Sequence, residues 1–244
     1  MYDWIDAGFS TYDAIMVCYI YRKEKVAPYG NYIMPYTSGV YRYREAIQCF
    51  EHLATGERFN VSVNHFKAKG SSEPDTDSTR KTNMQRLISK LSSAEAIDPG
   101  VLVLGDLNAY TMEASNLLLT EGEGYVDLLM KYDPDGYSYV YSKLVGYLDH
   151  AYCSPSMESQ VTKAVSYHLN AGTPSSYEYS NGNTTMYRYA DHDPILVGLR
   201  LGEETSTDME EVETSVTCTK VLRNGQIVIL RGDNAYTITG QLMY

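Results

Sequence analysis

One apolar run, Val101-Leu102-Val103-Leu104, has no polar interruption and is partly β-branched, which predicts a strand buried on both faces. It stops at Gly105, and Asp106 and Asn108 follow two positions apart. Extended backbone with that spacing points both side chains the same way, at the rim of a sheet. An Asx turn after the strand is the competing reading of the same residues. Other apolar segments predict further strands at 13–21, 44–52, 59–66, 146–153, 161–169 and 195–201. In the third of these, Val61 and Val63 share one face and Ser62 and Asn64 the other, with Ala54-Thr55-Gly56-Glu57 turning the chain before it. Met84, Leu87, Ile88 and Leu91 recur at helical spacing, so 79–92 reads as an amphipathic helix, and 112–119 as a second helix. The stretches 26–43, 71–78 and 175–183 carry Pro, Gly, Ser, Asn and Tyr and read as loops. Asp133-Pro134-Asp135-Gly136 reads as a turn, since the remaining ligand positions of a calcium loop are missing.

Strands that alternate with a few helices predict a layered α/β domain over 1–201. Residues 202–218 are acidic and rich in Ser and Thr, as a linker is. Residues 219–244 predict a small β tail, with strands near 220–222, 226–230 and 235–239. Arg231-Gly232-Asp233 there serves a turn better than an adhesion motif.

At 244 residues, 43% hydrophobic and 21% charged, the chain suits a globular domain with a full core. Its formal net charge of -11 excludes a protein that holds nucleic acid by phosphate neutralisation alone. It suits an enzyme that recruits divalent cations, because the metal then supplies positive charge. Cys18, Cys49, Cys153 and Cys218 have no metal-site spacing, and buried free thiols fit them better than a bridge. The 24 tyrosines suit half-wet strand and loop surfaces. No apolar run approaches a membrane span, no protein partner is indicated, and Met1 to Ser10 lacks the basic start and apolar core of a signal peptide.

Four short stretches carry ionisable residues at strand ends: Val63-Asn64-His65-Phe66-Lys67-Ala68-Lys69-Gly70, Gly105-Asp106-Leu107-Asn108-Ala109-Tyr110, Gly146-Tyr147-Leu148-Asp149-His150-Ala151, and Ala190-Asp191-His192-Asp193-Pro194-Ile195. In this order they resemble the motifs of the endonuclease/exonuclease/phosphatase superfamily, with Ala190 standing where Ser is usual. The branch most resembled is that of secreted bacterial nucleases, over about residues 2–201. The resemblance implies a layered α/β sandwich and a metal-dependent hydrolase of phosphoesters, with Mg²⁺ as cofactor and Mn²⁺ or Ca²⁺ as alternatives. Its substrate would be a nucleic acid or another phosphoester.

By the same resemblance His192 is the general base and Asp149 the carboxylate that orients it. Strand alternation supports Asp149 over His150, since neighbours on a strand face opposite ways. Asp191 and Asp106 resemble metal ligands, and Asp106 and Asn108 resemble the pair that positions nucleophile and phosphate. His65 resembles the phosphate-contacting residue that protonates the leaving oxygen. Asn64, Asn108 and Arg80 are the implied phosphate contacts, Arg80 matching an arginine that opens the helix before the central strand.

The family pattern also has an Asn-bearing strand and a Gln-Glu strand ahead of the segment matching 13–21, and that Glu is its main metal ligand. Neither motif stands in Met1 to Tyr12. The sequence therefore leads one to expect a sandwich lacking its first strands and a weakened metal site. The tail resembles C-terminal sorting segments of secreted Bacteroidetes proteins, which implies secretion or a cell-surface location. Three functions stay open: a nuclease, a binding module that keeps the fold without a complete metal site, and a phosphomonoesterase.

Overall fold

The computed structural model describes residues 1–5, 15–35, 44–70, 76–178, 182, 184–202, 218–223, 226–231, 234–237 and 242–243. The start of the expected strand at 13–21, the end of the expected loop at 26–43, most of the acidic linker and the turns at 224–225 and 232–233 lie outside them. The chain divides into two compact units, Met1–Glu204 and Thr205–Tyr244.

In the first unit the strands are β1 (Tyr2–Trp4), β2 (Ile20–Arg22), β3 (Val26–Ile33), β4 (Glu45–His52), β5 (Arg58–His65) and β6 (Val101–Asp106), with helix α1 (Thr76–Glu95) between β5 and β6. Then come α2 (Ala114–Leu117), β7 (Val126–Asp127), α3 (Leu128–Tyr132), β8 (Tyr139–Tyr141), β9 (Leu144–Gly146), β10 (Asp149–Cys153), β11 (Val161–Ser166) and β12 (Ile195–Leu199). Among the described residues the central sheet runs β3-β4-β5-β6-β10-β7. Its β5–β6 pair is parallel and crosses over through α1, while the other pairs are antiparallel. Separate two-stranded pairs join β1 to β2, β8 to β9 and β11 to β12.

The apolar run of β6 is buried on both faces. Val101 and Val103 pack with Met84, Leu87 and Leu91 of α1. Leu102 packs the other way, against Phe59, Ala151, Met157 and Val161. The polar face of β5 is buried too, beneath α1. Asn60 Nδ2 donates to the carbonyls of Ala94 and Asp98 at 3.0 and 2.6 Å. Asn64 Nδ2 donates to Ser62 Oγ and Leu104 O, both at 3.0 Å. A strand whose polar side chains donate to one another and to nearby carbonyls can be buried on both sides at reduced desolvation cost, although Asn60 Oδ1 meets no partner among the described residues.

Several expectations are corrected. The segment read as loop at 26–43 begins with a strand, β3, despite Pro28 and Gly30. It pairs with β4 alone and its register slips between Tyr29 and Ile33, where Gly30 takes φ +68°. An edge strand with a bulge accommodates a residue without N–H and a left-handed glycine. The strand expected over 13–21 narrows to Ile20–Arg22, although Val17 and Tyr19 are buried. The expected strand 146–153 breaks at Tyr147–Leu148, so β9 and β10 lie in different sheets. The helix at 112–119 is a single turn, continued by a wider π turn over Leu118–Gly122. Cys18 is exposed, while Cys49 and Cys153 are buried free thiols.

The second unit is a four-stranded antiparallel sheet of β13 (Cys218–Arg223), β14 (Gln226–Arg231), β15 (Asn234–Thr237) and β16 (Leu242–Met243). Among the described residues no helix is long and apolar enough to cross a membrane.

Candidate active site

Register places the site. Across the sheet, His65 on β5 pairs with Asp106 on β6, and Asp106 pairs with Asp149 on β10. The three side chains thus stand on adjacent strands at one sheet end. The β6 end bends sharply at Gly105, where φ is +129°. A Cβ there would lie 2.0 Å from Asn64 O, so no other residue fits without moving β5.

Asp106 and Asn108 are close, but not as neighbours on one strand face. β6 ends at Asp106, and Asn108 sits at φ +50°. Asn108 N donates to Asp106 Oδ1 at 2.8 Å, and its Nδ2 to Asp106 Oδ2 at 3.0 Å and Phe66 O at 3.1 Å. This is the Asx turn, and it spends the backbone N–H and one side-chain N–H of Asn108 on holding Asp106. Both residues nonetheless line the hollow.

His192 reaches the same place from the loop before β12. Its Nδ1 lies 2.6 Å from Asp149 Oδ2, with the Tyr139 ring against it, centroids 4.5 Å apart. Backbone pairing of Tyr139 with His192 fixes the loop from one side. Buried Asp193 fixes it from the other. Its Oδ1 accepts from the backbone N of Leu169, Asn170 and Ala171 at 2.9, 2.6 and 3.0 Å, and Oδ2 meets His168 Nδ1 at 2.9 Å. Buried Ser138 ties the two halves together: its Oγ accepts from Leu148 N and Asp149 N, and its carbonyl accepts from Asp193 N.

His150 points away from the site. It is fully buried, with Nε2 2.7 Å from Ala109 O and Nδ1 3.0 Å from Tyr152 Oη, and burial depresses its pKa. It braces the 109–110 turn rather than facing solvent.

The assembled hollow has a volume of about 590 Å³ and is lined by His65, Asp106, Asn108, Asp191 and His192 among others. Asp191 is exposed at its rim. Asn64 and Arg80 are not among the lining residues. Asn64 is buried inside the sheet, as above. Arg80, in the second turn of α1, is buried, its Nη2 3.4 Å from Glu113 Oε2, and Glu113 in turn bonds Lys69 on the rim. Lys69, Tyr110, Tyr139 and Tyr141 also line the hollow. The sequence reading missed them as site residues. Lys69 stood inside a quoted motif, and Tyr139 and Tyr141 alternate along one strand, which was the available signal.

Electrostatically the site is strained by its own charge. Burial, then repulsion from Asp149, pushes Asp106 up to about 6, against the pull of His192. Burial works to lower the His192 pKa, but the Asp149 hydrogen bond and the charges of Asp149, Asp106 and Asp191 raise it overall. Ligand atoms of Asp106, Asp149 and His192 all lie within 4.8 Å of one another, close enough to share one ion. Two carboxylates suit a hard divalent cation. Among the described residues no glutamate joins this cluster.

No protein-family model matches the sequence, and no curated protein sequence matches it. Solved structures do. A mannosyl-6-phosphatase of Bacteroides thetaiotaomicron superposes with a TM-score of 0.59 at 17% identity, covering 82% of this chain and 77% of its own. An endonuclease/exonuclease/phosphatase family protein of Bacteroides vulgatus gives 0.57 at 19% identity, with the same coverage of 82% and 77%. An AP endonuclease of Archaeoglobus fulgidus gives 0.50 at 11% identity, covering 66% and 67%. The fold is therefore the mixed α/β fold of the endonuclease/exonuclease/phosphatase proteins.

Proposed function

We propose that the protein is a metal-dependent phosphodiester hydrolase, a nuclease, with His192 as its general base. The observation that carries this reading is the 2.6 Å contact of His192 Nδ1 with Asp149 Oδ2, behind a hollow that His192 and Asp106 line. Asp149 accepts the hydrogen bond of Nδ1–H, which holds the tautomer whose Nε2 is free to take a proton from water. Asp106, held by both Asn108 donors, keeps a carboxylate at the same point. His65, whose Nε2 lies 3.6 Å from Asp106 Oδ2, would protonate the leaving oxygen. Asp106 and Asp149 would hold Mg²⁺, which when bound neutralises the charge that develops on the phosphate oxygens. Lys69 lines the rim in an ion pair with Glu113.

The test is hydrolysis of plasmid DNA, RNA and small phosphoesters with Mg²⁺ by the purified chain and by His192→Ala. The reading expects cleavage of a nucleic acid and its loss in the variant. Full activity in His192→Ala would remove the base from the mechanism. A second reading rests on the absence of a glutamate from this cluster among the described residues: a binding module that keeps the fold with a poor metal site. Calorimetry with Mg²⁺ or Mn²⁺ decides, since no heat together with no turnover favours the module.

A further inference from the structure

A smaller hollow of about 230 Å³ lies against α1, and we propose that it binds a second phosphate of the substrate chain, next to the one cleaved. The inference rests on the phosphodiesterase reading above and narrows its substrate to a chain with at least two phosphates. The lining includes Arg44, Lys67, Arg86, Ser78 and Thr79. Three cationic side chains line it and no described acid does, in a chain with 31 Asp and Glu against 20 Lys and Arg. Anion affinity here is local, because the net charge of the molecule repels anions.

His65 lines both hollows, so they are contiguous at one residue. The backbone N of His65 donates to Arg44 O at 2.8 Å, which seats Arg44 one strand across from His65. Strands lie about 4.8 Å apart, so the residue that the two hollows share is one strand spacing from Arg44. Beneath the hollow the buried Glu45 takes a hydrogen bond from Asn83 Nδ2 at 2.8 Å and lies 3.6 Å from Arg86 Nη1. Arg86 is thereby held in place. Guanidinium groups match the oxygens of a phosphate in pairs, and Lys67 adds a point charge. The hollow is smaller than the roughly 300 Å³ at which sites for drug-sized ligands begin, and it suits one compact anion. A phosphomonoester in the active site would leave it unused.

The test is equilibrium binding of a fluorescent oligothymidylate to the full chain in chelator, so that no turnover occurs, across a salt series. The chain is compared with Lys67→Gln and Arg44→Gln. Lys67 is half-exposed, so its replacement spares the core, and Lys67→Glu serves as a stronger variant in the same sense. Each lost contact should lower the slope of log affinity against log salt by about 0.7, the single-strand value per neutralised phosphate. A probe with neutral methylphosphonate linkages should bind the wild type weakly and no longer distinguish it from the variants. Unchanged slopes in both variants would overturn the proposal. So would capture of inorganic phosphate that depends on Lys67 while oligothymidylate binding does not, since the hollow would then be a free-anion site. Hydrolysis is scored separately. Slopes that fall while His192→Ala keeps full activity would sink the assigned base and leave the subsite standing.

Discussion

His192 and Asp149 meet at 2.6 Å because a strand end and a loop are each pinned before they approach. Asp149 turns to His192 and His150 to the core, opposite ways as alternation along β10 requires, and that alternation was legible in the sequence. The burial of Asn64 and Arg80 was not, since both are polar and nothing local says that Asn64 lies beneath α1 or that Arg80 turns inward from it. At this scale His192→Ala is expected to lower the hydrolytic rate constant by about 10²–10⁴, the usual worth of one acid–base group. A single-turnover cleavage assay checks it. Asp106 makes a pH prediction. Its folded pKa of about 6 lies above the unfolded 3.8, so it stabilises the fold at low pH and that contribution is lost as pH rises through about 6. Metal binding runs the opposite way, because a ligand carboxylate must be ionised. Mn²⁺ affinity by calorimetry should fall about tenfold per pH unit below 6 and level off above it; a flat profile would mean that Asp106 is not a ligand.

Elements were readable where pattern and burial agreed, as in β4, β5, β6 and α1. They were unreadable where a neighbour supplied the tolerance: β3 hides behind Pro28 and Gly30 because only edge position and a bulge make them acceptable. The β6 end depends on Gly105. Gly105→Ala would strain a backbone at φ +129° and push against Asn64 O, costing about 1–3 kcal/mol or more in urea melts. Cleavage should fall further than stability, since the His65–Asp106 register lies at that bend. The loop before β12 depends on Asp193. Asp193→Ala leaves the N–H groups of Leu169, Asn170 and Ala171 without their shared acceptor and should cost about 3 kcal/mol. It should also lower kcat at temperatures where the variant is fully folded, because His192 is the preceding residue.

Across the first unit, α1 and the apolar faces of β6 form a core that stands apart from the chemistry. Leu87→Ala, at a fully buried position, should cost about 2–5 kcal/mol yet leave kcat of the folded enzyme unchanged. The α/β layering was legible from segment order, but the sheet order β3-β4-β5-β6-β10-β7 was not, because β10 inserts between β6 and β7 from later in the chain. That insertion sets Asp149 beside Asp106. The account is tested most directly by the pH–rate profile of nucleic acid cleavage for the wild type and Asp149→Asn. A base must be unprotonated, so the rate should rise with pH through the raised His192 pKa. Without the Asp149 charge that rise should move to lower pH and the plateau should drop, whereas superimposable profiles would contradict the pairing on which the function rests.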